Sequence, residues 1–226
     1  CEIGAIADLV MAEVARQIAP GMTDYEAEAR VLYEFARLGV IADVVLVGTD
    51  ERIFKYRHPN PVGAKLGKYV LITPAMRYKG LHCNIARSVY FGDSLPEEIA
   101  LSYEAARQVS ANCMALCETG ATYRDILEGH KAILAELGYP EAWRGHYPGG
   151  RTGYFLCQPG HSLDPSRVIG ETEAFEWFIT VPGAKTAELT VKDGTNLRVA
   201  SATGRWPVSP VTRHGKTFPI PSILLC

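Results

Sequence analysis

Stretches with the hydrophobic spacing of helices alternate along this chain with stretches that are typical of strands. Apolar residues at Ala29, Leu32, Tyr33 and Ala36 recur with the period of one helix face. Segments rich in β-branched residues follow, among them DVVLVGTD, KYVLITPAM and IARSVYFG. The second half repeats this order, with the strand-like segments AFEWFITVPGA and AELTVKDGTNLRVASAT. The pattern predicts two units, each with two helices followed by strands.

An internal repeat supports this division. The segment IAPGMTDYEA aligns with CETGATYRDI, so that Gly21 falls on Gly120 and Thr23 falls on Thr122. Each copy has the signals of a long helix, a glycine turn, a second helix and a final glycine. The chain therefore contains a duplicated α-α-β-β arrangement.

Local capping signals mark the helix ends. Capping-box patterns, in which an acid follows a hydroxyl residue by three positions, begin at Thr23, at Ser94 and, more weakly, at Thr122. Gly39 and Gly138 stand where a helix C-cap favours a positive φ. These signals predict where the helices of both copies start and stop.

The predicted fold is α+β, with a curved antiparallel sheet around a central site, helices on its outer face and a pseudo-twofold between the halves. We expect one domain over residues 1–226, with half one at about 1–93, half two at about 94–207 and a C-terminal tail at 208–226. The chain enters a helix directly after Cys1 without a start signal. This abrupt beginning predicts a preceding domain.

Composition limits the class of protein. A chain of 226 residues with 47% apolar residues and a net charge of -2 suits one large domain, or two small ones, with a buried core. The absence of a basic stripe argues against nucleic-acid binding. No apolar run is long enough to cross a membrane, and no signal-peptide pattern is present, so we expect a cytoplasmic protein. The 6 cysteines form no CxxC pair, which predicts reduced thiols.

Two histidines are candidates for catalysis. His58 lies in KYRHPNP and His146 in RGHYPGGRTGY, so each half supplies one histidine in a segment rich in Pro and Gly. Loops held by a rigid scaffold often bear functional residues. The other four histidines lack such placement, and we interpret them as structural.

Carboxylates are few where a metal site would need them. Glu188 stands on an otherwise apolar strand, and it is a candidate acid or base if its side chain faces the site. An ion pair with Lys185 is the alternative role for Glu188. Glu173 and Glu176 precede the strand segment WFITV. The strand segment VLITPAM contains no acid, and HCNIARS has Asn84 where an acid would be useful.

The motifs PGMT, RHPNP, ARSVYFGD, TGAT, GHYPGG and AELTV stand in this order along nearly the whole chain. In this order they resemble the pita-bread family, which includes creatinase, methionine aminopeptidase, aminopeptidase P and Xaa-Pro dipeptidase. The resemblance implies the pita-bread fold of the family's C-terminal catalytic domain. It also implies a homodimer and fits an N-terminal domain ahead of this chain.

The resemblance also implies a position for each metal ligand. Active peptidases of the family bind two metal ions through two Asp, one His and two Glu. Thr73 and Asn84 match the two Asp, at the same spacing, and His146 matches the His. Glu188 matches the last Glu. Two ligands do not hold a catalytic zinc ion, which typically has three protein ligands, so we expect no bound metal.

The match for the first Glu is open. It falls on Phe178 or on Val181, depending on the register of the strand. Glu176 lies two residues from Phe178 and shares its strand face, so a shift in register would bring Glu176 into the site. We therefore predict that Thr73, Asn84, Phe178 and Glu176 line the substrate pocket.

Three functions remain open. His58 matches the family's substrate-facing histidine, and creatinase uses that histidine without a metal. The first hypothesis is a metal-independent hydrolase for a small amide or amidino substrate, with His58, His146 and Glu188 as catalytic groups. The first alternative is a catalytically inactive binding module. The second is an atypical Xaa-Pro metallo-aminopeptidase in which His146 and Glu188 hold Mn, Co or Zn. The expected ligand is a small molecule or a short peptide.

Overall fold

The computed structural model describes residues 1–156 and 164–226 of the chain. Cys157 and His161 lie outside the described residues, so their predicted structural roles stay predictions. The α-helices of the described part are α1 (Glu2–Ala15), α2 (Asp24–Ala36), α3 (Glu51–Lys55), α4 (Glu97–Ala115) and α5 (Tyr123–Glu136). None of these helices is long and apolar enough to span a membrane.

Strands account for most of the remaining regular structure. The first half holds β1 (Ile41–Thr49), β2 (Tyr69–Tyr78), β3 (Leu81–Asn84) and β4 (Arg87–Tyr90). The second half holds β5 (Gly149–Thr152), β6 (Thr172–Val181), β7 (Ala184–Asp193) and β8 (Asn196–Val199). The end of the chain holds β9 (Val208–Arg213), β10 (Lys216–Pro221) and β11 (Leu224–Leu225).

The predicted duplication is present in the helices. Thr23 forms a complete capping box with Glu26 at the start of α2, and Thr122 forms the same box with Asp125 at the start of α5. Hydroxyl and carboxylate groups thus satisfy the backbone N–H groups that a helix leaves free at its N-terminus. The glycines at positions 39 and 138 have φ of 70° and 89°, as expected after a helix end.

The capping box predicted at Ser94 is wrong. Helix α4 has Pro96 as its N-cap and no side chain that caps its first turn. Because the helix begins at Glu97, this residue occupies the first helical position and not the third, which a capping box requires. Glu97 and Glu98 instead place two negative charges in the first turn, where the helix dipole favours them.

Two sheets, one from each half, form the frame of the fold. The first half has the antiparallel order β1-β2-β4, with β3 paired to β2 and β11 added in parallel beside β4. The second half has the antiparallel order β5-β6-β7-β8. The backbone N–H of Ala86 donates to the carbonyl of Ala187 at 3.0 Å, which joins the two sheets where the halves meet. The predicted α+β class is confirmed.

The segment expected as a C-terminal tail is part of the folded structure. Strands β9 and β10 pair as an antiparallel hairpin that contacts α4. Phe218 and Ile220 of this hairpin are buried. Arg107 of α4 donates to the carbonyl of Ser209 at 3.0 Å, so the end of the chain is fastened to the second half.

Candidate active site

A cavity of about 350 Å³ opens between the two sheets. Each half contributes a strand face and one loop. The first half supplies Leu46 from β1, Thr73 from β2, Asn84 from β3 and the His58 loop. The second half supplies the His146 loop, Phe178 from β6 and Lys185 from β7. This volume suits a small molecule.

Strand register explains why the first-half residues face the cavity together. Leu46 pairs with Thr73 across β1 and β2, and Ala75 pairs with Asn84 across β2 and β3. Side chains of paired residues lie on the same face of a sheet, and those of residues two apart do so as well. Thr73 and Asn84 are therefore diagonal neighbours on the cavity wall.

Register also selects the second-half residues. Phe178 pairs with Ala187, and Thr180 pairs with Lys185. Because side chains alternate along each strand, Phe178 and Lys185 share the face that lines the cavity. Glu188 follows Ala187 and therefore projects from the opposite face of β7.

Each candidate histidine is held by a backbone hydrogen bond close to it in sequence. The Val47 N–H of β1 donates to the carbonyl of Pro59, the residue after His58, at 3.0 Å. The Phe178 N–H of β6 donates to the carbonyl of Pro148, two residues after His146, at 2.9 Å. Both loops are thus fastened to cavity strands, which fixes the histidines on a rigid scaffold.

The two imidazoles are in edge-to-face contact at the cavity wall. The ring centroids of His58 and His146 are 5.2 Å apart and their planes meet at 89°. The Nδ1 atom of His146 lies 2.7 Å from the Tyr147 carbonyl. A carbonyl only accepts hydrogen bonds, so Nδ1 bears the proton and Nε2 is left as an acceptor.

Burial and positive charge keep both imidazoles neutral. Burial lowers the pKa of His146 to about 4, with further lowering by Lys185, His58 and Arg57. Partial burial and the charges of Lys185 and Arg57 lower the pKa of His58 to about 4 as well. At neutral pH each ring therefore offers one donor and one acceptor.

Lys185 is a cavity residue that the sequence reasoning missed as a site residue. The sequence favours only an ion pair with Glu188 for it, whereas its side chain lines the cavity and is 3% exposed. Burial, with the charge of Arg57, lowers the pKa of Lys185 to about 8. The cavity thus has a buried ammonium group on its wall.

Glu188 does not reach the cavity, and its expected place beside the histidines is wrong. Its carboxylate is fully buried and binds the Arg87 guanidinium, with Oε1 2.5 Å from Nη1. Ser201 donates a second hydrogen bond to it. Arg87 also contacts Asp8 of α1 at 3.4 Å. Glu188 therefore joins β7 to β4 and α1, and its side chain is not part of the cavity lining.

Glu176 lies on the cavity face of β6 but beneath the surface. Its carboxyl group is 0% exposed, and neither oxygen has a hydrogen-bond partner among the described residues. Burial raises the pKa of Glu176 to about 8, and the nearby Thr152 hydroxyl and Asn84 N–H offset this only in part. The raised pKa favours the neutral carboxylic acid at neutral pH. In the observed register Glu176 pairs with Leu189 and is not part of the cavity lining.

The structure thus brings His58, His146, Thr73, Asn84 and Phe178 to one cavity, and their roles stay predictions. Within residues 1–156 and 164–226, no group of three or more His, Cys, Asp or Glu side chains is arranged to hold a metal ion. The polar side chains of the described lining are two neutral imidazoles, one ammonium group, the hydroxyls of Thr73 and Tyr147, and the amides of Asn60 and Asn84.

Comparison with known proteins places the fold. The sequence profile of metallopeptidase family M24 matches residues 2–185. No curated protein matches the chain in sequence. The chain is similar to the solved structure of Xaa-Pro dipeptidase from Bacillus anthracis, with a TM-score of 0.77 and 16% identity over 99% of this chain and 60% of that chain.

Two further solved structures give the same result. The X-Pro aminopeptidase from Thermotoga maritima has a TM-score of 0.75 and 18% identity over 100% of this chain and 63% of that chain. A dipeptidase from Pyrococcus horikoshii has a TM-score of 0.72 and 22% identity over 88% of this chain and 58% of that chain. The chain spans less than two thirds of the length of these proteins. At such identities the likeness shows the pita-bread fold and leaves the activity open.

Proposed function

Because the chain belongs to metallopeptidase family M24, we propose that its cavity is a hydrolase-type site that acts on a small amide or amidino compound without a metal ion. The observation behind the proposal is the pair of neutral imidazoles, 5.2 Å apart, on a cavity whose described lining contains no carboxylate. The expected catalytic pair is His58 and His146.

The residues of the cavity do not fit the metal centre that the family name implies. Zinc and similar ions bind Cys, His, Asp and Glu, and hard cations require carboxylate or carbonyl oxygens. The cavity offers two imidazoles, and Thr73 and Asn84 stand where the resemblance places metal-binding Asp residues. Lys185 adds a positive charge that repels a divalent cation. The proposed reaction therefore uses no metal ion.

The two histidines have different surroundings and hence different roles in the proposal. His58 is exposed at the mouth of the cavity and exchanges protons with solvent. His146 is half-buried, and its Nδ1–H is fixed on the Tyr147 carbonyl. In the proposed reaction His58 accepts a proton from the attacking water as the C–O bond forms. It returns that proton to the leaving nitrogen as the C–N bond breaks, while His146 Nε2 accepts a hydrogen bond from the substrate.

Charge in the cavity governs the basicity of this pair. A pKa of about 4 makes His58 a weak base at neutral pH while the cavity holds only the positive groups Lys185 and Arg57. A ligand that offsets this positive charge raises the pKa of His58 toward the range of an effective acid-base group. Turnover in the proposal therefore depends on the charge of the bound substrate.

A binding module is the second candidate, and the same observation favours it. An imidazole with a pKa of about 4 stays neutral over the physiological range and serves well as a hydrogen-bond partner for a ligand. In that case the cavity binds a small molecule and releases it unchanged. The distinction between the two candidates is turnover.

Turnover in the presence of EDTA tests the proposal. Small amides, dipeptides and amidino acids are incubated with the metal-free protein, and product release is measured for wild type, His58→Ala and the control His214→Asn. His214 is an exposed surface residue with a positive φ that Asn tolerates. We expect turnover that resists EDTA, falls about 10²- to 10⁴-fold in His58→Ala and is unchanged in the control.

Three contrary results would each overturn part of the proposal. Activity that EDTA abolishes and Mn, Co or Zn restores would overturn the proposal in favour of an Xaa-Pro metallo-aminopeptidase. No turnover of any compound, together with ligand-dependent stabilisation, would leave the binding module. Equal turnover in wild type and His58→Ala would remove His58 from the mechanism.

A further inference from the structure

We propose that the ligand of this cavity bears a carboxylate, and that the Lys185 ammonium group binds it. The proposal rests on the proposed function only in taking the cavity as a small-molecule site. It names the class of ligand as small amido or amidino acids rather than neutral amides.

Lys185 is a buried cation with no anionic partner in the part of the chain that the structure describes. The residue is 3% exposed, and its side chain makes no hydrogen bond or ion pair with any residue in 1–156 or 164–226. Lysine is almost never fully buried in proteins unless it is paired, because removing an ammonium group from water is costly. The part of its surface that is not covered by protein opens into the cavity. An anion in the cavity is therefore the partner that the ammonium group lacks.

Among the described residues, the charged group that acts on Lys185 is positive. The charged side chain that acts on the pKa of Lys185 is Arg57, and it acts to lower it. The charged groups that act on His58 and on His146 are likewise positive. The buried acid nearest in sequence, Glu188, binds Arg87 on the opposite face of the strand. The field inside the cavity is positive and favours an anionic ligand.

Two polar side chains on the facing wall also lack partners. The Thr73 hydroxyl and the Asn84 side-chain oxygen are buried and have no hydrogen-bond partner among the described residues. Thr73 is 3% exposed, so water at the surface does not satisfy it. Buried polar groups without partners are rare, and each calls for an unseen ligand or water. Both residues belong to the cavity wall, so a rotation of either side chain would turn a polar atom toward a bound molecule.

The rest of the wall suits a short apolar portion. Val44, Leu46 and Phe178 add apolar surface to the cavity wall. Among the described lining residues, Lys185 is the one ammonium group. A single ammonium group suits one carboxylate better than a doubly charged phosphate, which requires more donors. The ligand is accordingly a compact acid with one negative charge, a polar amide-like group and a small apolar part.

Binding of matched acids and amides tests the assignment. The probes are N-acetyl amino acids, guanidinoacetate, the neutral amide of each acid, and inorganic phosphate. Each is measured by its thermal shift and by calorimetry with wild type, Lys185→Met and the control Lys65→Met. Lys65 is exposed and lies outside the cavity. Methionine keeps most of the side-chain volume and removes the charge.

We expect at least one acid to raise the melting temperature of wild type and of Lys65→Met, while its neutral amide does not. Loss of the charge-assisted hydrogen bond should weaken binding of that acid about 10- to 100-fold in Lys185→Met. The circular dichroism spectrum of Lys185→Met shows whether the variant is folded. If Lys185→Met does not fold, Lys185→Gln gives the same comparison with a polar side chain.

Three outcomes would overturn the assignment: no acid binds, amides bind as tightly as acids, or phosphate competes better than every acid. Measuring turnover in parallel keeps this proposal separate from the hydrolase proposal. Acids that bind through Lys185 without being hydrolysed would support the carboxylate site and refute the hydrolase. Turnover of neutral amides that is equal in wild type and Lys185→Met would support the hydrolase and refute the carboxylate site.

Discussion

The variant Glu176→Gln tests whether burial keeps the Glu176 carboxyl group neutral in the native protein. The carboxyl group is 0% exposed, and burial raises its pKa from 4.5 to about 8. Below about pH 4.5 the carboxyl group is protonated in both the native and the unfolded chain. In that range Glu176 contributes no pH dependence to the free energy of unfolding. Between the two pKa values only the native chain holds it. The native state must then either keep a proton that the unfolded chain has lost, or ionise a buried group.

Stability therefore falls as pH rises through this window, by about 1.4 kcal/mol per pH unit. From about pH 5 to about pH 7 the loss due to Glu176 amounts to roughly 3 kcal/mol. Gln has the same shape and cannot ionise. The difference in unfolding free energy, Glu176→Gln minus wild type, should rise by that amount over the same interval.

Urea unfolding at several pH values measures this difference. Other titrating groups, the histidines included, contribute equally to both proteins and cancel in the subtraction. The control is Glu171→Gln, an exposed glutamate ahead of the same strand, which should give a flat difference. A difference for Glu176→Gln that is flat between about pH 5 and pH 7 would refute a carboxyl group held neutral by burial.

Three further results are expected. Replacing Arg87 by Met should lower the free energy of unfolding by about 3–5 kcal/mol in urea titrations, because it leaves the buried Glu188 carboxylate unpaired. Thr122→Ala should cost about 1 kcal/mol in the same assay, because it removes a capping box, whereas Ser94→Ala should cost less than about 0.5 kcal/mol. Between about pH 4 and pH 6.5 the unfolded chain binds more protons at His146 than the native chain, so stability rises with pH. His146→Gln should make that rise shallower, and an unchanged slope would contradict the lowered pKa.

Local signals predicted the helices because helix ends are local structures. The capping boxes at Thr23 and Thr122 and the glycines that follow each helix pair need no distant contacts to act. The box pattern at Ser94 failed because the Leu-Pro pair between it and Glu97 moves the start of α4. The hairpin β9–β10 was missed because its burial depends on α4, which lies far away in sequence.

Site residues that belong to recognisable motifs could be predicted from the sequence. Site residues whose position depends on the register of a strand could not. His58, His146, Thr73 and Asn84 stand in or near recognisable segments, and they meet at one cavity. Lys185 was missed because a strand shifted by one residue exchanges its two faces.

The turn between β6 and β7 contained the signal that could have placed Lys185. Val181 pairs with Ala184 around the Pro-Gly turn, which sets Lys185 opposite Thr180. Counting from that turn places Lys185 on the face of Phe178, and it places Glu188 on the other face. A prediction of the β6–β7 hairpin with a two-residue turn would have placed Lys185 in the cavity and Glu188 on the opposite face.

The alternation of side chains along β7 also explains how one fold can hold different chemistry. Glu188 projects from the face of β7 opposite the cavity and binds Arg87 there. This fully buried pair joins the two halves. Lys185 occupies the cavity face, three positions earlier, and contributes nothing to that ion pair. A substitution on the cavity face can reverse the charge of the site. The opposite face of the strand, which holds the Glu188–Arg87 ion pair, is unchanged by it, and the family fold is kept. Membership of family M24 therefore fixes the frame, and the sign of the charge in the cavity is the property that separates a site for divalent cations from the carboxylate site that we propose.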